Sequence, residues 1–310
     1  MVYLLIFLAL LLLYGIASYK AFYIHLHRYP APGQRQIPFT IPGIPDMSPY
    51  LGLYEQEKAR WEAAKKEPLA VTSYDGLTLR GLFFPCKNAR GVAVLSHGYH
   101  CSARHDYWYM FGAYLDRGFS VLLFDQRGCG KSEGDWITMG VKESRDLQQW
   151  CRVAAEKAPG LPLLVHGMSM GGATVLMALD DLPAETRALV IDCAYCTPHE
   201  TVGYVFSRYP RALISLLLPG AELWSRLCAG FSLWEKDTEV CLKTNTRPVL
   251  FLHGDPDGLV PTECTRRNVQ ACTAPHEVLY IPGAGHTECF LKGRTEALAA
   301  LDGFLERYFF

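Results

Sequence analysis

The 310-residue chain reads as an α/β protein: a mostly parallel sheet of about eight strands with helices on both faces and a short helical cap. Three observations predict this. Short, continuous apolar strands alternate with helical stretches, the signature of a parallel sheet covered on both sides. A Gly-x-Ser-x-Gly sequence stands directly between one strand and one helix. One strand-to-strand connection is far too long for a single crossover, which predicts an insert. Composition agrees: 50% of residues are hydrophobic and 20% charged, enough for a large core and incompatible with global disorder. Thirty Lys and Arg against 31 Asp and Glu leave a net charge of -1, without the basic excess of a nucleic-acid binder.

The elements follow in order. Met1 to Tyr19 holds no charged side chain, and residues 1–26 are expected to form one N-terminal transmembrane helix, matching a hydrocarbon core of about 30 Å. Tyr19, Tyr23 and Tyr29 suit the membrane interface. The competing readings are a signal peptide cleaved after Ala17 and a buried helix; the first lacks a basic residue ahead of the apolar run. Lys20, Arg28 and Arg35 follow the apolar run, so positive-inside favours a cytoplasmic location for the rest of the chain. Residues 27–68 are a linker and a short helix. Pro30, Pro32, Pro38, Pro42, Pro45 and Pro49 stiffen the linker, and the helix spans Glu55 to Glu67 with Pro68 as its stop.

Residues 69–310 form the main domain. Val71–Tyr74 and Leu77–Phe84 flank Asp75-Gly76, which predicts a hairpin with a two-residue turn. Apolar strands are then expected at Val92–Ser96, Ser120–Phe124, Pro162–Val165, Ala188–Ile191, Pro248–Leu252 and Val278–Ile281. Helices are expected near Tyr107–Arg117, Val141–Glu156, Met170–Leu179, Cys264–Cys272 and Thr295–Tyr308. Ile191 to Pro248 is the over-long connection, and about 197–244 is the inserted cap. Leu213, Leu216, Leu217, Leu223, Trp224 and Leu227 in it either line an apolar pocket, touch the bilayer or pack the cap onto the core. The eleven cysteines form no disulfide framework and read as small buried hydrophobes. Cys193 and Cys196 are a lone CxxC without zinc spacing, so no metal is expected.

The chemistry sits at one sheet edge. Gly167-Met168-Ser169-Met170-Gly171 follows a strand and opens an apolar helix. So tight a turn strains its central residue and leaves no room for side chains two positions either side, so glycines close it and Ser169 Oγ projects above the sheet. A serine hydroxyl needs a positioned base. His286, after the last strand, lies at the same edge and is that base; His97, His166 and His253 each precede a glycine at a strand end and read as structural. The base needs a carboxylate. Asp257 is the choice, with Asp255 and Asp192 as alternatives. The order Ser169, Asp257, His286 is the one described for α/β-hydrolases. An oxyanion needs two preset donors. They are expected from the Met170 N–H and from the loop His97-Gly98-Tyr99-His100, through Tyr99 N–H, unless that loop is merely a tight turn.

These residues resemble the α/β-hydrolase superfamily over roughly Val71 to Tyr308. Asp125-Gln-Arg-Gly-Cys-Gly-Lys-Ser-Glu-Gly is similar to its DxRGxGxSxG stretch, a structural turn, so Arg127 and Lys131 are given no catalytic role. The chain is most similar to membrane-anchored bacterial members grouped with serine aminopeptidases. The expected function is a serine hydrolase cleaving carboxylic esters through an acyl-enzyme, with no cofactor, a small acyl ester as substrate and the bilayer as partner. An amidase or peptidase uses the same groups. An acyltransferase or a non-catalytic binding protein on the same fold are the remaining alternatives. Substrate identity and oligomeric state are not legible.

Overall fold

The computed structural model describes residues 1–28, 48–205 and 210–310. Tyr29, Arg35 and the prolines from Pro30 to Pro45 lie outside these residues. Helix α1 (Val2–Leu26) is 25 residues long, long and apolar enough to cross a membrane. Its first half is exposed, while Ser18, Phe22 and Leu26 are buried against the rest of the protein. The end of α1 is stitched in place: Ile137 N–H donates to the Leu26 carbonyl at 2.7 Å and Arg28 N–H to the Asp135 carbonyl at 2.8 Å.

Helix α2 (Leu51–Ala63) stops four residues short of the expected Glu67. Pro68 does not stop it; Pro68 is the second residue of β1 (Glu67–Thr72). A proline fits there because β1 is an edge strand, paired only with β2 (Thr78–Phe84). The turn between them is also longer than expected. Ser73 N–H bonds the Leu77 carbonyl and Gly76 N–H the Ser73 carbonyl, closing a loop over Tyr74, Asp75 and Gly76. Gly76 takes a φ of 91°, the left-handed residue that ends such a three-residue loop.

The remaining strands are β3 (Gly91–Ser96), β4 (Phe119–Phe124), β5 (Leu163–Met168), β6 (Thr186–Asp192), β7 (Val249–Asp255) and β8 (His276–Pro282). The sheet order is β1-β2-β4-β3-β5-β6-β7-β8, antiparallel at β1-β2-β4 and parallel beyond. Alternate residues of the parallel strands enter two separate cores. Ala93, Leu95, Val121, Leu123 and Val190 pack under α2, α3 (Ala103–Asp106), α4 (Phe111–Asp116), α11 (Cys289–Lys292) and α12 (Arg294–Tyr308). Val92, Val94, Leu122, Phe124 and Leu189 pack on α5 (Val141–Lys157) and α6 (Met170–Met177). Of the helix expected near Tyr107–Arg117 only Phe111–Asp116 forms, and a separate one-turn helix, Ala103–Asp106, precedes that range.

Between β6 and β7 the chain forms α7 (Pro198–Val205), α8 (Arg211–Trp224), a π-helical turn at Ser225–Ala229 and α9 (Thr238–Leu242). Helix α10 (Thr262–Ala271) then connects β7 to β8. Helix α8 lies along α1: Tyr14 donates to the Leu216 carbonyl at 3.0 Å and Trp224 Nε1 to Ser18 Oγ at 3.1 Å. Gly220 lets the two helices approach; a Cβ there would lie 2.4 Å from Ser18 Cβ.

Candidate active site

The turn from β5 into α6 is tight enough to explain its glycines. A Cβ on Gly167 would sit 2.2 Å from the Gly171 carbonyl oxygen, and one on Gly171 would sit 1.9 Å from that of Ser96. Between them Ser169 adopts φ 54° and ψ -118°, a strained conformation for a residue with a side chain. Its N–H is held by the Asp192 carbonyl at 2.8 Å. The turn presents Ser169 Oγ at the start of α6, where the helix dipole is positive.

Two loops at the same sheet edge bring the partners. They are strapped together by a 2.6 Å bond from Gly283 N–H to the Asp255 carbonyl. His286 Nε2 lies 2.8 Å from Ser169 Oγ, and His286 Nδ1 lies 2.6 Å from Asp257 Oδ2. A carboxylate only accepts, so Nδ1 carries the proton and Nε2 is left to accept from the serine hydroxyl. The Asp257 side chain is fully buried. Burial acts to raise its pKa, but hydrogen bonds from His253 and His286 and the nearby His286 charge outweigh it, holding the carboxyl well below the usual carboxylate range. Asp255 and Asp192 make no such contact. Asp255 reaches Thr262 Oγ1 at 3.5 Å. Asp192 is fully buried with neither carboxylate oxygen hydrogen-bonded among the described residues, and burial raises its pKa to about 6.

Residues 87–245, just over half of the chain, match the family model described as serine aminopeptidase, S33. The chain belongs to this family. The matched stretch contains Ser169 and ends before Asp257 and His286. The chain is 26% identical over 249 residues to the uncharacterized protein YqkD of Bacillus subtilis, covering 79% of this chain and 81% of that protein. It is 28% identical over 241 residues to a monoacylglycerol lipase of Mycolicibacterium smegmatis, covering 65% of this chain and 83% of the lipase. Among solved structures, the Pyrococcus furiosus esterase Pf2001 is similar in fold, with a TM-score of 0.65 and 22% identity over 91% of this chain and 98% of that one. The S33 family protein is thus a hydrolase of α/β-hydrolase fold.

In this S33 hydrolase the loop after β3 runs beside the elbow. A Cβ on Gly98 would come within 3.5 Å of Ser169 Cβ. Gly98 N–H is itself engaged, donating to Asp106 Oδ2 at 2.6 Å, and Tyr99 and His100 follow it. His97 anchors the loop from below: its Nε2 accepts from Gln126 N–H at 2.9 Å. The Asp125–Gly134 stretch is a braced turn. Asp125 accepts from Ala103 and Lys131 N–H, and buried Arg127 forks onto Asp146 and Asp75.

Two groups of metal-ligand side chains lie near the site, Cys101 with His105 and Asp106, and Cys193 with Asp257 and His286. Both fit hydrogen bonding better than a metal. Cys101 Sγ is 2.8 Å from His105 Nδ1 and 2.7 Å from Asp106 Oδ1, closer than the roughly 3.5 Å between ligands around one tetrahedral zinc. In the second group His286 Nδ1 already donates to the Asp257 carboxylate.

Reading His253 as structural misses a contact. Its Nε2 lies 3.1 Å from both Asp257 Oδ2 and the Val260 carbonyl, and its Nδ1 lies 2.7 Å from Thr265 Oγ1. Both Nε2 neighbours are acceptors, so Nε2 carries the proton and His253 is a second donor to Asp257. The spacing His253-x-x-x-Asp257 was the available signal. Cys193, likewise read as packing, is fully buried beside Asp257 and His286.

Proposed function

We propose that this protein is a serine hydrolase that cleaves carboxylic esters through an acyl-enzyme at Ser169. The observation that carries the reading is the unbroken hydrogen-bond chain from Ser169 Oγ through both nitrogens of His286 to Asp257. As Ser169 Oγ attacks the ester carbonyl, its proton passes to His286 Nε2. Asp257 holds the imidazole in the required tautomer and stabilises its charged form. The oxyanion is met by Met170 N–H and Tyr99 N–H. His286 then protonates the leaving alcohol and activates the water that releases the acid. None of these steps calls on a cofactor.

The lipase relative favours an acyl chain as the recognised part. Amide cleavage is the second reading, favoured by the serine aminopeptidase description of the family. We place α1 in the membrane as a single anchor, with the catalytic domain on the cytoplasmic side. The test is a panel of acyl esters and aminoacyl amides assayed with the full chain in detergent. Esters are expected to be the better substrates by kcat/KM, and Ser169→Ala should lose on the order of 10³-fold or more while melting at the wild-type temperature. Faster amide than ester turnover would move the reading to a peptidase.

A further inference from the structure

The carbonyls of the last turn of a helix must find partners outside it. At the end of α1 the folded domain supplies them. The Leu26 carbonyl accepts from Ile137 N–H, and the His25 carbonyl accepts from two side chains of one loop. These are the Tyr99 hydroxyl and His100 Nε2, the latter at 3.0 Å. This is the loop that runs against Ser169. His100 also sits at φ 51°, in the left-handed region that few residues with a side chain adopt. On the other wall, Phe22 and Leu26 of α1 pack in the same apolar group as fully buried Met170, whose N–H opens α6.

We propose that the end of α1 is a positioning element of the active site: the His25 carbonyl, bonded by Tyr99 and His100, fixes the loop that aims the Tyr99 N–H at the oxyanion. The helix read as an anchor then also sets the rate of the chemical step. This rests on the serine-hydrolase reading above. Tyr99 and His100 act here through their side chains as positioning residues, since the group that meets the oxyanion is a backbone N–H. A donor displaced by a fraction of an ångström still lets substrate bind but stabilises the oxyanion less. The loss therefore falls on kcat and not on KM.

The test uses the full chain in detergent micelles with a soluble acyl ester. It adds a trifluoromethyl ketone of the same acyl length, whose serine adduct carries the oxyanion. Tyr99→Phe keeps the ring and deletes the bond. His100→Leu deletes the other, and His100→Gln restores a donor toward the same carbonyl. Tyr99→Phe and His100→Leu should each lower kcat about ten-fold with KM within about two-fold, and weaken the ketone by the same factor as kcat. His100→Gln should recover most of both. If Tyr99→Phe does not fold, the two His100 variants decide alone. Wild-type kcat and ketone affinity in folded Tyr99→Phe, or equal loss in His100→Leu and His100→Gln, overturns this inference while leaving the serine mechanism standing. Failure of a fluorophosphonate to label Ser169 in the wild type overturns both.

Discussion

Asp257 receives four hydrogen bonds. Oδ2 takes His286 Nδ1 and His253 Nε2, and Oδ1 takes Leu259 and Val260 N–H at 2.7 and 2.9 Å. An asparagine has one acceptor oxygen, so it cannot serve both the loop and the two imidazoles. Asp257→Asn forces His286 toward the wrong tautomer or frees the loop. We expect it to lose up to about 10⁴-fold in kcat, by the logic of other serine triads. Asp255→Asn should stay within a few-fold, because among the described residues the Asp255 side chain hydrogen-bonds Thr262 alone and its bond to the His286 loop comes from its backbone carbonyl. Steady-state kinetics of the two variants side by side give the ranking, and the reverse order would transfer the acid to Asp255. Among the three carboxylates weighed in the sequence, position after a strand pointed to Asp257. What sequence left hidden was the second imidazole, because the importance of His253 depends on a loop folding back over four residues.

At the scale of elements, the β1–β2 turn and the Asp125–Gly134 turn are locked by one guanidinium. Arg127 Nη1 and Nη2 bond Asp75 at 2.8 and 3.1 Å, and Nε and Nη2 bond Asp146 at 2.6 and 2.7 Å. Partial burial acts to raise the Asp75 pKa, but the bonds from Arg127 and Ser73 prevail and lower it to about 2. A lowered carboxylate stabilises the fold above its unfolded pKa, and that contribution disappears as pH falls through the folded value. Asp75→Asn should therefore cost about 1 kcal/mol near neutrality, allowing for solvent screening of a partly exposed pair. The gap to wild type should close between about pH 4 and pH 2. Thermal melts of both proteins across that range read it directly, and a gap that stays constant would show that Asp75 contributes by packing instead. The hairpin itself was legible from its flanking strands, whereas its turn length was not. Asp-Gly fits both a two-residue and a three-residue loop, and the Ser73–Leu77 pairing decided between them. Pro68 was misread for a related reason: a proline ends a helix and also suits an edge strand, and only the sheet order reveals the edge.

Across the whole molecule, the parallel sheet was legible because continuous apolar strands feed two cores and the elbow marks the edge where loops converge. The docking of α1 was not. That helix is apolar on every side, so no stripe announces that Ser18, Phe22 and Leu26 face protein while Leu4 to Leu13 do not. On the proposed reading of α1 as an anchor, Lys20, Arg28 and Arg35 favour a cytoplasmic domain. Cys228 is the exposed thiol of the eleven and reports the side. A membrane-impermeant maleimide should leave it unlabelled in intact cells and label it after lysis, with Cys228→Ser as control; labelling before lysis would invert the topology. The central claim is the serine nucleophile, and the most direct measurement is peptide mass spectrometry after stoichiometric fluorophosphonate treatment. The account predicts a single phosphonyl adduct, on Ser169, with ester hydrolysis lost in proportion to its occupancy. An adduct on another residue, or hydrolysis that survives complete modification of Ser169, would contradict it.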